Sequence, residues 1–289
     1  MWRVEDASKP IQQVVMMRSV QFVSLTRPHE LNPILPCILQ RVKALSGIGK
    51  EFMEKSQYKY LGESDQNKGL PQPPLEIEHD KKSEVVDLPS PRDLNIPPID
   101  LRTAIERRRS VREYSEKPLT LEELSWLLWC TQGVKEVLPR QATLRNVPSA
   151  GARHPFETYV LVNRVEGLKP GLYRFLALEH KLAEFIMDRD IADRVVEGCW
   201  RQRFVKTAAA TLLWVAVAYR TKWRYGERGY RYIHLDAGHV CQNLYLAAEA
   251  IGCGVCAIGA FYDELINGLL GLDGVEQFVT YVGTVGKKR

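Results

Sequence analysis

Over residues 1 to about 50 apolar and polar positions follow no sustained helical or strand period: Val14, Val15, Met16 and Met17 are mixed with Pro28, Pro33 and Pro36. The stretch KEFMEKSQYKY, 50–60, spaces its apolar residues for a short amphipathic helix. From Asp100 the pattern becomes regular. Asp100 is a good N-cap for LRTAIERRR, and Thr120 with Glu123 forms a capping box that opens LEELSWLLWCTQ, which Gly133 stops. Short runs rich in β-branched and aromatic residues predict strands at 156–162, 172–177, 181–186, 211–219 and 278–284, with Leu178, Glu179 and His180 turning the second into the third. In 233–252, Ala237, Val240, Leu244, Ala247, Ala248 and Ile251 recur at steps of three and four, predicting a central, nearly fully buried helix, and 263–271 reads as one more. Helices and strands interleave as in an α+β layered domain.

Composition sharpens the boundary. Of 16 prolines, 11 lie at or before Pro98, while 16 of the 20 glycines follow it. Proline fixes φ and removes a donor, so PQPP at 71–74, LPSP at 88–91 and IPP at 96–98 predict an extended arm wrapping a domain that begins near residue 99. The organisation expected is thus a 1–49 extension, either poorly ordered or a consequence of translation starting downstream, a 50–98 helix and arm, and a 99–289 domain. No basic region and apolar stretch of signal type open the chain, and the longest apolar run, 208–219, is too short for a membrane helix and reads as a buried strand. The net charge of +5 is mild, implying neither a general nucleic-acid binder nor an anionic-membrane binder, and six dispersed cysteines suit a reduced, cytoplasmic setting.

Candidate chemistry begins with Arg107, Arg108, Arg109, Ser110, Val111 and Arg112. Four guanidiniums and a hydroxyl make either a solvated basic turn at a helix C-terminus or a phosphate clamp. Ser149, Ala150, Gly151, Ala152, Arg153 and His154 lead into a strand, as a plain loop or as small residues admitting a flat ligand. Gly252, Gly254 and Ala257 match GxGxxA, but they close a helix and open a strand, the reverse of a dinucleotide site. Cys253 and Cys256 form a CxxC without the second pair that zinc needs, leaving a redox dithiol or two small buried side chains. No hydrolase or nucleotidase motif appears, which favours a cofactor-borne reaction.

Taken in order, RRRSVREYSEKPLTLEELSWLLW, PSAGARHPFETYVLV, HLDAGHVCQNLYLAAEAIGCGVCAIGAF and VGTVGKK resemble the nitroreductase family of FMN flavoproteins, and its SagB-type dehydrogenases most, over residues 50–288. The resemblance implies a mostly antiparallel sheet flanked by helices and an intertwined homodimer with FMN at the subunit interface. It implies that Arg108, Ser110 and Arg112, with Arg109 in the same motif, clamp the FMN phosphate and ribityl, joined by Lys287. Ser149, Ala150 and Gly151 would lie along the isoalloxazine, with Ile258, Gly259 and Ala260 at its polar edge. Gln242 and Asn243 match the family's Gln-Asn pair, equally readable as a buried hydrogen-bonded pair. The activity implied is ping-pong transfer from NAD(P)H or another donor to a nitroaromatic, quinone or similar acceptor, with no metal.

SagB-type enzymes that oxidise azolines use a Lys-Tyr pair, and Arg224-Tyr225 stands in that place. Arginine cannot serve as the base, which leaves Tyr225 as an acid–base group or as an aromatic packed over the flavin. A non-enzymatic flavin-binding module is the alternative from a different class.

Overall fold

The computed structural model describes residues 47–289, so the expectations for residues before 47 lie outside it. Its elements are α1 (Ile48–Lys55), β1 (Val85–Asp87), α2 (Leu101–Arg107), α3 (Leu121–Gln132), β2 (Val134–Leu138), β3 (Ala142–Arg145), β4 (Phe156–Val162), β5 (Gly171–Leu176), β6 (Lys181–Ile186), α4 (Ile191–Gly198), α5 (Phe204–Thr207), β7 (Ala210–Val217), α6 (Ala218–Tyr225), α7 (Gly229–Ala250), β8 (Cys253–Ile258), α8 (Asp263–Leu270) and β9 (Gln277–Lys287). Seven strands form one sheet in the order β1-β6-β5-β4-β7-β9-β8. Every pairing in it is antiparallel.

Both faces of this sheet are covered, and side-chain alternation divides β4 and β7 between two cores. Phe156, Val160, Leu212, Trp214 and Ala216 pack with Leu124, Leu128, Val240 and Leu244 of α3 and α7. Tyr159, Leu161, Leu213 and Val215 pack with Val195 of α4 and Ile266 of α8. Cover on both sides is why the run beginning at Ala208 is almost uniformly apolar, as buried strands are.

The caps form as the sequence predicts. Asp100 Oδ1 accepts from the Thr103 amide at 3.0 Å. Thr120 Oγ1 accepts from the Glu123 amide at 3.1 Å while Glu123 Oε2 accepts from the Thr120 amide at 3.0 Å. Several boundaries move. The helix expected through Arg109 ends at Arg107, and Arg108 turns extended at φ −55°, ψ 126°. The run expected as strand to 219 leaves the sheet at Val217 and coils into α6, and β9 is longer than predicted. The predicted central helix, α7, begins four residues earlier, at Gly229, and it is not wholly buried. Leu235, Gly238, His239 and Gln242 form an exposed stripe.

The proline-rich segment joins this fold through a buried charge cluster. Glu157, on β4, pairs with Arg220 and accepts from the Ile77 amide at 2.9 Å. Arg220 Nε donates to the Pro74 carbonyl at 2.9 Å, and Arg174 donates to the Glu78 carbonyl at 3.1 Å. Farther along, β1 pairs with β6, Val85 facing Ala183.

Candidate active site

Two loops singled out in the sequence are each anchored to α7. Beyond α2 the chain runs extended, and the Val111 amide donates to the Val255 carbonyl of β8 at 2.8 Å. Gly254 permits this crossing, since a Cβ there would sit 2.6 Å from Val111. Tyr245 fixes the loop: its hydroxyl lies 3.0 Å from Ser110 Oγ and accepts from the Ala257 amide at 2.9 Å. The Arg108 guanidinium rests 5.2 Å from the centre of the Tyr245 ring. Arg108 is half-buried and Arg109, Ser110 and Arg112 are exposed. None of the three arginines pairs with a described carboxylate. Three guanidiniums therefore flank the Ser110 hydroxyl with no described carboxylate to neutralise them.

The second loop hangs on Asp236. Ser149 Oγ donates to Asp236 Oδ2 at 2.5 Å, the Ala150 amide donates to Oδ1 at 3.3 Å, and Ser149 Oγ in turn accepts from the His154 amide at 2.9 Å. Burial raises the Asp236 carboxyl above the ordinary Asp range, although the Ser149 and Ala150 bonds oppose that rise. Gly151 has φ +60°, and a Cβ there would meet the Tyr225 hydroxyl at 2.5 Å, so glycine is required both by conformation and by space. Ser149, Ala150, Gly151 and Tyr225 thus come together. Tyr225 packs edge-on against Tyr232 at 4.8 Å, and Tyr232 shares a 2.7 Å hydrogen bond with Tyr58.

The other expected residues are more dispersed. Ile258 ends β8 and is buried, while Gly259 and Ala260 are exposed, with the Ala260 carbonyl accepting from Gln202 at 3.0 Å. At about 3.3 Å per residue Ile258 lies roughly 10 Å along β8 from the Ser110 crossing, with Gly259 and Ala260 beyond it. Lys287 is already engaged: its ammonium pairs with Glu123, the capping-box carboxylate, and donates to the Ile251 carbonyl at 3.0 Å. Of the Gln-Asn pair, Asn243 holds the Cys130 carbonyl at 2.9 Å as a buried hydrogen bonder would, whereas Gln242 faces outward. Cys253 and Cys256 are both buried and free, and three steps along a strand put them on opposite faces, so they form no dithiol; burial pushes the Cys253 thiol up to about 12. No group of three or more potential metal ligands occurs among the described residues, nor a helix long and apolar enough to cross a membrane.

The nitroreductase family model matches residues 105–287, which contain both loops, α7 and the strands between them. The chain belongs to the nitroreductase family. A nitroreductase-type protein of Methanocaldococcus jannaschii is 37% identical over 194 residues, covering 67% of this chain and 94% of the relative. The trifolitoxin-processing protein of Rhizobium leguminosarum bv. trifolii is 29% identical over 135 residues, 44% of this chain and 35% of its own. Among solved structures, a nitroreductase-type protein of Anabaena variabilis superposes with a TM-score of 0.59 at 28% identity, over 72% of this chain and 42% of that longer one. As a nitroreductase-family chain, the protein has the expected α+β fold, an antiparallel sheet flanked by helices, and the family's oxidoreductase character.

Sequence reasoning missed Asp236 and Tyr245, the two residues that hold the loops. Each carried a signal: an acid and a large phenol within an otherwise small and apolar helical pattern.

Proposed function

We propose that this chain is an FMN-dependent oxidoreductase that takes electrons from NAD(P)H or a similar donor and passes them to a small nitroaromatic, quinone or related acceptor. The observation that carries the reading is the set Arg108, Ser110 and Arg112, locked to β8 and Tyr245 with no carboxylate partner, which fits a bound phosphate. Arg109 and Lys287 are the adjoining cations, the latter after release from Glu123. When bound, FMN supplies the hydride chemistry. The guanidiniums would hold its phosphate, the Ser149–Gly151 backbone would lie along the ring, and Ile258, Gly259 and Ala260 would offer backbone groups to it. Tyr225, whose hydroxyl touches Gly151, is the group able to hold or give a proton beside that loop.

The geometry also supports a homodimer with shared sites. Asp236 and Tyr245 are nine residues apart on α7, about 900° of helical rotation, so the two loops hang from opposite sides of a helix roughly 10 Å across. One chain's phosphate clamp and its own flavin loop do not face a common space; a second copy supplies the missing half. The exposed stripe Leu235, Gly238, His239 and Gln242 runs between the two anchors and is the seam on which that copy would pack. The free buried cysteines suit a reducing, cytoplasmic compartment.

Within the family we place the chain beside the SagB-type dehydrogenases, on the resemblance of the 50–60 segment and the proline-rich arm and on its likeness to a protein named for trifolitoxin processing. Azoline oxidation is the second reading, weakened because Arg224 occupies the place of the base.

The test is the visible spectrum of the purified protein, followed by anaerobic addition of NADH or NADPH. A yellow protein bleached by either donor is expected, and one that stays colourless at micromolar FMN defeats the proposal. Bleaching by an azoline peptide instead would favour the second reading, and bound flavin reduced by no donor would leave a binding module. The Arg108→Ala, Arg112→Ala double variant should lose FMN affinity by about 3 to 6 kcal/mol, two charge-assisted contacts of about 1.5 to 3 kcal/mol each, read by flavin fluorescence.

A further inference from the structure

A second group of cations stands on the other side of α7, at the flavin loop itself. The aliphatic part and Nε of Arg224 lie against Gly151, close enough that a Cβ on the glycine would sit 3.0 Å from Cδ and 3.1 Å from Nε. Arg153 donates from Nε to the Gly151 carbonyl at 3.1 Å. Each guanidinium is backed by an aromatic ring, Arg153 by Trp223 at 5.4 Å and Arg224 by Tyr225 at 5.6 Å. A ring behind a guanidinium leaves its N–H edge for a ligand and restricts where that edge can point.

Charge balance separates this group from the buried pair Arg174 and Arg220. Arg174 and Arg220 are answered by Glu157. No described carboxylate pairs with Arg153 or Arg224, nor with Arg140 at the tip of the β2–β3 hairpin. Burial lowers the affinity of Arg153 for its own proton, and the charges of Arg224 and Arg140 lower it further while Tyr225 opposes them. Holding like charges together at a loop, with Arg153 only 8% exposed, is costly unless an anion visits.

We infer that Arg153 and Arg224, with Arg140 adding to the local potential, form an anion subsite beside Gly151 that selects substrates carrying a carboxylate or phosphate next to the ring that exchanges electrons. The inference rests on the flavin-loop reading and goes beyond it, because it assigns charge to the substrate. An oxyanion bridging the two guanidinium edges is held in place while the rest of the molecule lies along the loop. Tyr225, whose ring backs Arg224 and whose hydroxyl lies beside Gly151, shares this subsite.

The probes are benzoate and benzamide, equal in shape and different in charge, titrated calorimetrically into the full-length protein as purified. Benzoate should bind about 10-fold or more tightly than benzamide, the scale of a charge-assisted hydrogen bond, and the preference should shrink between about 50 and 300 mM salt. Arg224→Gln should remove most of the preference and Arg224→Lys should keep part of it, with the flavin content of both equal to that of the wild type. Two steady-state arms then locate the anion. If it belongs to the acceptor, Arg224→Gln raises KM for 4-nitrobenzoate but not for 4-nitrobenzamide. If it belongs to the donor, KM rises for NADH and NADPH and not for either acceptor. Equal binding of the two probes overturns the inference, as does loss of flavin from Arg224→Gln, which would make the arginine part of the cofactor site. A yellow protein without the benzoate preference sinks the subsite alone, whereas a colourless protein that retains the preference sinks the flavin reading and leaves the subsite standing.

Discussion

Single buried side chains set the pH behaviour of the site. Asp236 anchors the Ser149–Gly151 loop at the expense of a carboxylate removed from water, and its pKa stands above the unfolded value. Such an acid contributes most stability at pH below its unfolded value, and the contribution is lost as pH rises through the higher folded value. Asp236→Asn should therefore gain on the wild type in urea midpoint as pH climbs past the ordinary Asp range, while losing one loop hydrogen bond worth about 1 kcal/mol. His154 behaves in the opposite sense. Burial, with Arg145 adding to it, holds its imidazole down to about 3, so its contribution is intact above the unfolded value near 6.5 and is lost as pH falls below that. At pH 5 the wild type should have lost about 2 kcal/mol through this residue, and His154→Asn should abolish that part of the slope. Asparagine is chosen because His154 sits at φ +43°, a region that asparagine enters readily.

At the scale of elements, what was legible was whatever is decided locally. The caps at Asp100 and Thr120 depend on side chains within three residues, and both form as predicted. The α6 helix was invisible because the apolar run of β7 continues through Ala218 and Tyr219 without a breaker. The β2–β3 hairpin was missed for the reverse reason: Lys135, Glu136 and Val137 are all exposed, so the strand alternates against no core. The arginine loop and the Ser149–Gly151 loop were recognisable as blocks, whereas their anchors were not, since Asp236 and Tyr245 meet them across 86 and 135 residues of chain. The same non-local logic governs the arm. Glu157→Ala would leave Arg174 and Arg220 buried without their carboxylate, at a cost of about 3 to 5 kcal/mol. Proteolysis within 61–84 should accelerate in that variant, before any cleavage inside the sheet.

For the whole molecule, the decisive prediction concerns α7. Among the described residues nothing beyond the neighbouring backbone of α7 lies within 4 Å of a Cβ at Gly238, so a larger residue there has room in the described fold and should conflict with a partner helix. Gly238→Arg should give a folded monomer by sedimentation, with unchanged far-ultraviolet dichroism and little bound flavin. A variant that remains dimeric and yellow would show that the seam lies elsewhere. The strand order carries a different consequence, one for biosynthesis. β9 lies between β7 and β8, yet it follows both in the chain. On a ribosome adding about 5 to 20 residues per second, the roughly 70 residues from Val217 to Lys287 take several seconds to emerge. Through that interval Ala210–Val217, apolar except for Thr211, waits with one bare edge, and β8 has no strand beside it. A nascent chain stalled before Gln277 should be a strong client of chaperones, whereas one stalled after Lys287 should not.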